Sequence, residues 1–124
     1  MTTSVDVLDA PQVRLRSVDG FPEADVRAAS RLLEADPSIV VLDVRTAVEH
    51  AAGRIAGSIN VDFFADDFAE RIAELDRSAA YLIYCRSGGR SALALELMRE
   101  LGFRRVVHMP EGFDGWVSAR QPGL

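Results

Sequence analysis

The sequence contains no lysine; all 14 of its basic residues are arginine. A chain without lysine forms no lysine Schiff base, carries no phosphate-loop lysine and has no lysine general base. Cysteine is nearly absent too. Cys85 stands alone, so no internal disulfide can form, and a lone thiol fits a reducing compartment. Histidine is limited to His50 and His108, which with one distant cysteine supply no metal-ligand cluster. Nothing in the pattern asks for a cofactor. No apolar run approaches the roughly 20 residues of a membrane span. The net charge of −5 lacks the basic excess of a general nucleic-acid binder. Met1 to Gln12 are acidic and polar, without the basic-then-apolar order of a secretory signal. The expectation is a cytoplasmic protein that engages neither membrane nor nucleic acid.

What is present suits one globular domain: 124 residues, 48% hydrophobic and 27% charged, enough chain to bury a core without staples. We expect a flexible segment over 1–13 and a single domain over 14–124. Val13 to Ser17 reads as a weak strand. Pro22 suits a first helical turn and predicts a helix to about Ala35, with Val26, Ala29 and Leu33 on its inner face. Ile39 to Leu42, Ser58 to Val61, Tyr81 to Tyr84 and Val106 to Met109 read as strands. Thr46 and Glu49 form a capping-box pattern for a short helix that stops at Gly53. Asp67 to Leu75 is helical, with Phe68, Ile72 and Leu75 in one stripe. Ser91 to Leu101 is the clearest helix, with Ala94, Leu97, Met98 and Leu101 at helical spacing and Gly102 closing it. The tail, Pro110 to Leu124, is rich in glycine and proline. Strands alternating with helices predict an α/β fold with a mainly parallel sheet.

The segment that carries chemistry is Cys85-Arg86-Ser87-Gly88-Gly89-Arg90-Ser91, which joins a buried strand to a helix. Ligands of open parallel sheets bind beyond the carboxyl ends of strands. Gly88 and Gly89 let the backbone curl so that its N–H groups point inward. The helix start adds free N–H groups and the positive end of a dipole. Arg86 and Arg90 add two charges, and no carboxylate lies between Asp76 and Glu96. All of these favour a thiolate at Cys85, and comparable surroundings bring thiol pKa values to about 3.5–7.5. The same cradle suits an anionic substrate or transition state. A thiol ionised by its loop needs no base, and His50 and His108 are read as structural.

These residues resemble the rhodanese family of sulfurtransferases in three ordered segments. The first runs from Val41-Leu42-Asp43-Val44-Arg45 through Glu49 to Asn60. The second is the loop Cys85 to Ser91, and the third is Gly112-Phe113-Asp114-Gly115-Trp116. The resemblance, from about Ser17 to Trp116, implies a single rhodanese-like domain with a five-stranded, mainly parallel sheet flanked by helices on both faces. It implies that Cys85 takes sulfur from thiosulfate or a persulfide, becomes a persulfide, and passes the sulfur to cyanide or a thiol. By position, the backbone from Arg86 to Ser91 cradles the persulfide, and Arg86 and Arg90 attract an anionic donor. A partner protein is a second kind of donor or acceptor.

The chain departs from the family pattern at several points. Arg54 replaces a usual histidine, Ala56 a frequent proline and His50 a usual aromatic residue, so altered packing is expected there. Glu111 stands where the first of two glycines is common. With that turn near the loop, its carboxylate is expected to repel a dianion and make thiosulfate a poorer donor than a persulfide. Asp43 and Arg45 are expected to end a strand and pair locally, with Arg45 also within reach of Glu49. Phe113 and Trp116 are expected to cover the core.

Two other functions fit the same loop. One is a sulfur-carrier or regulatory module with little turnover of its own. The other is a cysteine-dependent phosphatase or arsenate reductase; those loops place five residues between cysteine and arginine, whereas Cys85 and Arg90 enclose four.

Overall fold

The computed structural model describes residues 14–18, 20–119 and 121–123; the segment expected to be flexible, 1–13, lies outside the described residues. Strand β1 (Arg14–Val18) pairs antiparallel with β2 (Phe21–Glu23). Pro22 thus stands in a strand and does not open the helix expected of it. Its locked φ suits extended backbone as well as a first helical turn. Asp25 is the better cap: its Oδ1 accepts the Ala28 N–H at 2.8 Å, and helix α1 (Val26–Ala35) follows. Val26, Ala29 and Leu32 are buried along α1, while Leu33, expected on the inner face, packs only at the margin of the core.

The apolar run at Ile39 forms β3 (Val40–Asp43), followed by α2 (Ala47–Ala52) and β4 (Ile59–Asn60). The capping box of α2 forms as its sequence predicts: Thr46 Oγ1 accepts the Glu49 N–H at 3.1 Å, and Glu49 Oε1 accepts the Thr46 N–H at 3.0 Å. Helix α3 (Phe68–Ala73), β5 (Tyr81–Tyr84), α4 (Gly89–Glu100), β6 (Val106–His108) and α5 (Gly112–Ser118) complete the order. Helix α4 begins at Gly89 rather than Ser91, because Gly88 turns into the left-handed region at φ 103° and closes the loop early. Its inner face carries Leu95 beside Ala94 and Met98, and Leu97 and Leu101 are only partly buried. Helix α5 occupies the tail whose glycine and proline content announces no helix.

Among the described residues the sheet has the order β1-β2-β6-β5-β3-β4. Strands β2, β6, β5, β3 and β4 run parallel, as expected of five strands, and β1 adds a sixth, antiparallel, at the edge. Alternation along the strands makes two apolar faces. Val41, Leu82, Tyr84 and Val107 pack with Leu32 of α1 and Trp116 of α5. Leu42, Tyr81, Ile83 and Val106 pack with Ile72 of α3 and with Leu95 and Met98 of α4. Each fully buried leucine or isoleucine contributes roughly 1.5–3 kcal/mol, so these two layers hold the sheet that positions the site. Because the strands are parallel, the ends of β2, β3, β5 and β6 come out on one side of the molecule. No helix among the described residues is long and apolar enough to cross a membrane.

Candidate functional site

Cys85 follows the last residue of β5 and continues its alternation, so its side chain falls on the α3/α4 face, beneath the first turn of α4. Only 1% of the residue is exposed. The Gly88 N–H points at Sγ from 3.1 Å and the Ser91 hydroxyl from 3.3 Å. Burial pushes the thiol pKa up, but hydrogen bonds from the Ser91 side chain and from the N–H groups of Ser91, Gly88 and Ser87 outweigh it and bring the thiol below its ordinary value. Arg86, Ser87 and Gly89 lie on the exposed rim, Gly88 and Arg90 are half-buried, and Ser91 is buried.

The loop is braced from behind by α5. Phe113 donates its N–H to the Cys85 carbonyl at 2.8 Å, and Asp114 donates to the Arg86 carbonyl at 3.2 Å. These contacts turn loop carbonyls outward. They require close backbone approach, which explains two glycines. A Cβ on Gly112 would collide with the Arg86 carbonyl, and one on Gly88 would sit 2.6 Å from the Pro110 oxygen.

The expectation of an unopposed positive loop is corrected by two carboxylates brought in from elsewhere in the chain. Glu49 takes Arg90 in a two-pronged pair at 2.6 and 3.0 Å, and this contact holds the Glu49 carboxyl down to about 2. Asp114 lies 3.2 Å from Arg86 Nε, a pair exposed on both sides and therefore worth little. The absence of nearby acids in sequence carried no information about space. Arg90 also lies over the Phe64 ring, 5.8 Å from its centre.

Asp43 and Arg45 do pair locally. Arg45 Nη2 lies 2.7 Å from Asp43 Oδ2 and donates to the Gly53 carbonyl at 2.6 Å. Arg45 makes no ion pair with Glu49 among the described contacts, since that carboxylate is turned to Arg90. Asp43 Oδ2 also meets His50 Nδ1 at 2.8 Å and accepts the Tyr84 hydroxyl at 3.0 Å. Burial pushes the Tyr84 phenol up to about 12. Arg54 donates to the His50 carbonyl at 3.2 Å. This network ties β3, α2 and β5 together just below the loop, which accounts for His50 as a packing residue.

Glu111 is placed differently from its expected role. Its Oε1 accepts the Val26 N–H at 2.6 Å, at the start of α1. It does not line the cavity beside the loop. That cavity, about 290 Å³, is bounded by Arg45, Glu49, Ala52, Gly53, Arg86, Phe113 and Asp114, so the acids facing an incoming donor are Glu49 and Asp114. Trp116 is buried and Phe113 partly so, both against the core as expected.

His108 was read as structural, yet it touches the loop. Its Nε2 is 2.7 Å from Ser91 Oγ. Sequence reasoning missed His108, Glu23, Glu49 and Asp114 as neighbours of the site. A usable signal existed for His108: it ends the strand next to β5, as Cys85 follows the end of β5 itself. For the three acids no local signal exists, because each arrives through the packing of a separate element.

The arrangement can hold a thiolate, and any atom added to it, within a ring of N–H donors. The family model of the rhodanese-like domain matches residues 25–119. The "Putative sulfur carrier protein YrkF" of Bacillus subtilis is 28% identical over 102 residues, covering 82% of this chain and 54% of YrkF; the chain thus spans about half the length of that relative. A "Sulfurtransferase" of Allochromatium vinosum is 29% identical over 100 residues, covering 81% of this chain and 92% of that one. Among solved structures, a rhodanese-related protein from Thermoplasma volcanium superposes with a TM-score of 0.71 at 30% identity, covering 82% of this chain and 96% of that chain.

Proposed function

Because the chain belongs to the rhodanese-like domain family, we propose that it is a sulfurtransferase that moves a sulfane sulfur through a persulfide on Cys85. The observation that carries this reading is the Cys85 sulfur held at 3.1 Å from the Gly88 N–H, inside a ring of inward donors. In loading, the Cys85 thiolate attacks the outer sulfur of a persulfide, RS–SH. The S–S bond of the donor breaks, RS⁻ leaves with its electron pair, and Cys85 becomes the persulfide. In unloading, an acceptor thiolate or cyanide attacks the outer sulfur, and Cys85 departs as thiolate. The loop N–H groups stabilise negative charge on either sulfur throughout. Gly88, Gly89 and Ser91 shape that ring with Ser87, while Arg86 and Arg90 border it.

The donor we favour is a persulfide, small or protein-bound, over thiosulfate. Both bordering arginines are already matched by Asp114 and Glu49, which leaves little net positive charge for a dianion. A lone thiol that must return to its reduced state suits the cytoplasm. The same pairing, together with the resemblance to YrkF, favours a carrier as the second reading: loaded by one partner, unloaded by another, slow with free thiosulfate.

Intact-mass measurement tests both. The reduced protein is incubated with a persulfide or with thiosulfate, weighed, then given cyanide while thiocyanate is measured, with Cys85→Ser as control. One added sulfur on the wild type alone, discharged catalytically, supports the transferase. A stable adduct with slow discharge supports the carrier. No adduct from either donor rejects sulfur chemistry, and aryl phosphate and arsenate become the next substrates.

A further inference from the structure

Behind the loop, Ser91 leads on to two buried groups, His108 and Glu23, that the sulfur-transfer steps above do not use. Ser91 Oγ is 3.3 Å from Cys85 Sγ and 2.7 Å from His108 Nε2. On the far side of the ring, His108 Nδ1 is 3.5 Å from Glu23 Oε2. That is an ion-pair separation, but Nδ1 makes no hydrogen bond among the described residues. The side chains of His108 and Glu23 are only 2% and 7% exposed. The register of the sheet builds this line, since Glu23 stands opposite His108 across β2 and β6, and His108 opposite Ile83 across β6 and β5.

We propose that Ser91 and His108 form a proton relay for Cys85, with Glu23 orienting the imidazole. The thiol proton passes to Ser91 Oγ as the serine proton passes to His108 Nε2. The result is a Cys85 thiolate, a neutral Ser91 hydroxyl donating to it, and a His108 imidazolium. Nδ1 keeps its proton towards Glu23 in both states, so no other group changes. In loading, RS⁻ departs on the solvent side, takes up the S–H proton of the transferred sulfur and leaves as RSH; Cys85 then carries a persulfide anion, and the imidazolium keeps its proton as the counter-charge. His108 touches neither sulfur. It is a positioning residue that acts through Ser91.

The alternatives for the serine proton are visible. Ser91 Oγ is also 3.3 Å from the Gly88 carbonyl, but the contact to His108 is the shortest of the three. Burial holds His108 below the usual imidazole range while Glu23 pulls it up, which leaves the ring neutral and able to accept at neutral pH. Among the described residues, the charged groups around the relay are Glu23 on β2 and Arg90, with its partner Glu49, beside Cys85. The buried line of donors and acceptors is thus aimed at the sulfur from the side opposite the solvent.

The inference rests on Cys85 being the reacting thiol, but its test needs no sulfur donor. With one cysteine in the chain, far-ultraviolet thiolate absorbance against pH reports Cys85 alone at pH values below tyrosine ionisation. Ser91→Ala and His108→Asn should each move the thiol titration to higher pH and cut the thiolate fraction below its midpoint by about tenfold, and the double variant should add little more. An unmoved titration in folded His108→Asn overturns the relay. Should that variant not fold, the His108 imidazole is followed by NMR in the wild type and in Cys85→Ser. Coupled groups share their protons, so the wild-type curve should show two steps, the upper coinciding with thiolate formation, and Cys85→Ser one step. Superimposable single-step curves overturn the relay as well. Sulfur loading that persists while the coupling is absent removes only the relay; coupling present with no sulfur loading removes only the proposed function.

Discussion

Glu49 and Arg90, 41 positions apart, face each other as a two-pronged ion pair, with Oε1 2.6 Å from Nη1 and Oε2 3.0 Å from Nη2. The same Glu49 Oε1 accepts the Thr46 N–H that opens α2. One carboxylate therefore caps the start of a helix and offsets the Arg90 charge of the Cys85 loop at once. Replacing it should separate these roles. Glu49→Gln keeps a capping acceptor but releases the Arg90 charge, so thiosulfate loading should improve, with KM lower by roughly fivefold, the worth of about 1 kcal/mol. Steady-state loading rates with thiosulfate and with a persulfide check this; equal KM values in both proteins would show that the pair does not select the donor.

The pair also predicts an acid limit. Arg90 lowers the Glu49 carboxyl from an ordinary 4.5 to about 2. A depressed acid stabilises the fold above its unfolded pKa, and that contribution disappears as pH falls through the folded value. The stability advantage of wild type over Glu49→Gln should be full above about pH 4.5 and shrink towards pH 2. Urea midpoints of the two proteins across that window measure it, and a gap that does not depend on pH would contradict the assignment.

Two neighbouring glycines in the loop should behave oppositely. Gly88 holds φ at 103°, and a Cβ there would lie 2.6 Å from the Pro110 oxygen, whereas Gly89 is helical and a Cβ would meet nothing within 4 Å. Gly88→Ala should lose at least about 1–2 kcal/mol from its left-handed backbone alone. Gly89→Ala should hold or gain about 0.4–1 kcal/mol by restricting the unfolded chain. Denaturant unfolding of the pair decides, and the same sign for both would mean that the loop is not shaped as described.

Asp43→Asn is expected to be the most damaging change outside the loop. Its Oδ2 receives Arg45 and the Tyr84 hydroxyl and meets His50, with the side chain wholly buried. Removing one partner of a buried pair leaves an uncompensated charge and costs roughly 3–5 kcal/mol. A loss below about 1 kcal/mol in thermal or urea unfolding, typical of exposed pairs, would place Arg45 in solvent rather than in the core.

Much of this protein was legible in its residues taken in order. The apolar runs at Val40, Tyr81 and Val106 announced buried parallel strands. Thr46 and Glu49 announced a capped helix, and Cys85 with Gly88 and Gly89 announced a loop of inward N–H groups. Each of these signals is local: hydrophobic periodicity, a cap, a backbone that only glycine adopts. Pro22 was misread because one dihedral suits both a strand and a helix start, and α5 was hidden by its glycines.

Long-range pairing lay beyond that reach. The residues alone determined an α/β chain with one thiol at a strand end. Only tertiary structure decided which charges surround that thiol. Parallel crossovers bring Glu49 from α2 to Arg90, Asp114 from α5 to Arg86, and the β2–β6 register sets Glu23 beside His108. The physical reason is range: a cap or a turn acts over a few residues, while an ion pair in a folded sheet depends on which strands lie side by side, and that is set by burying the whole core at once.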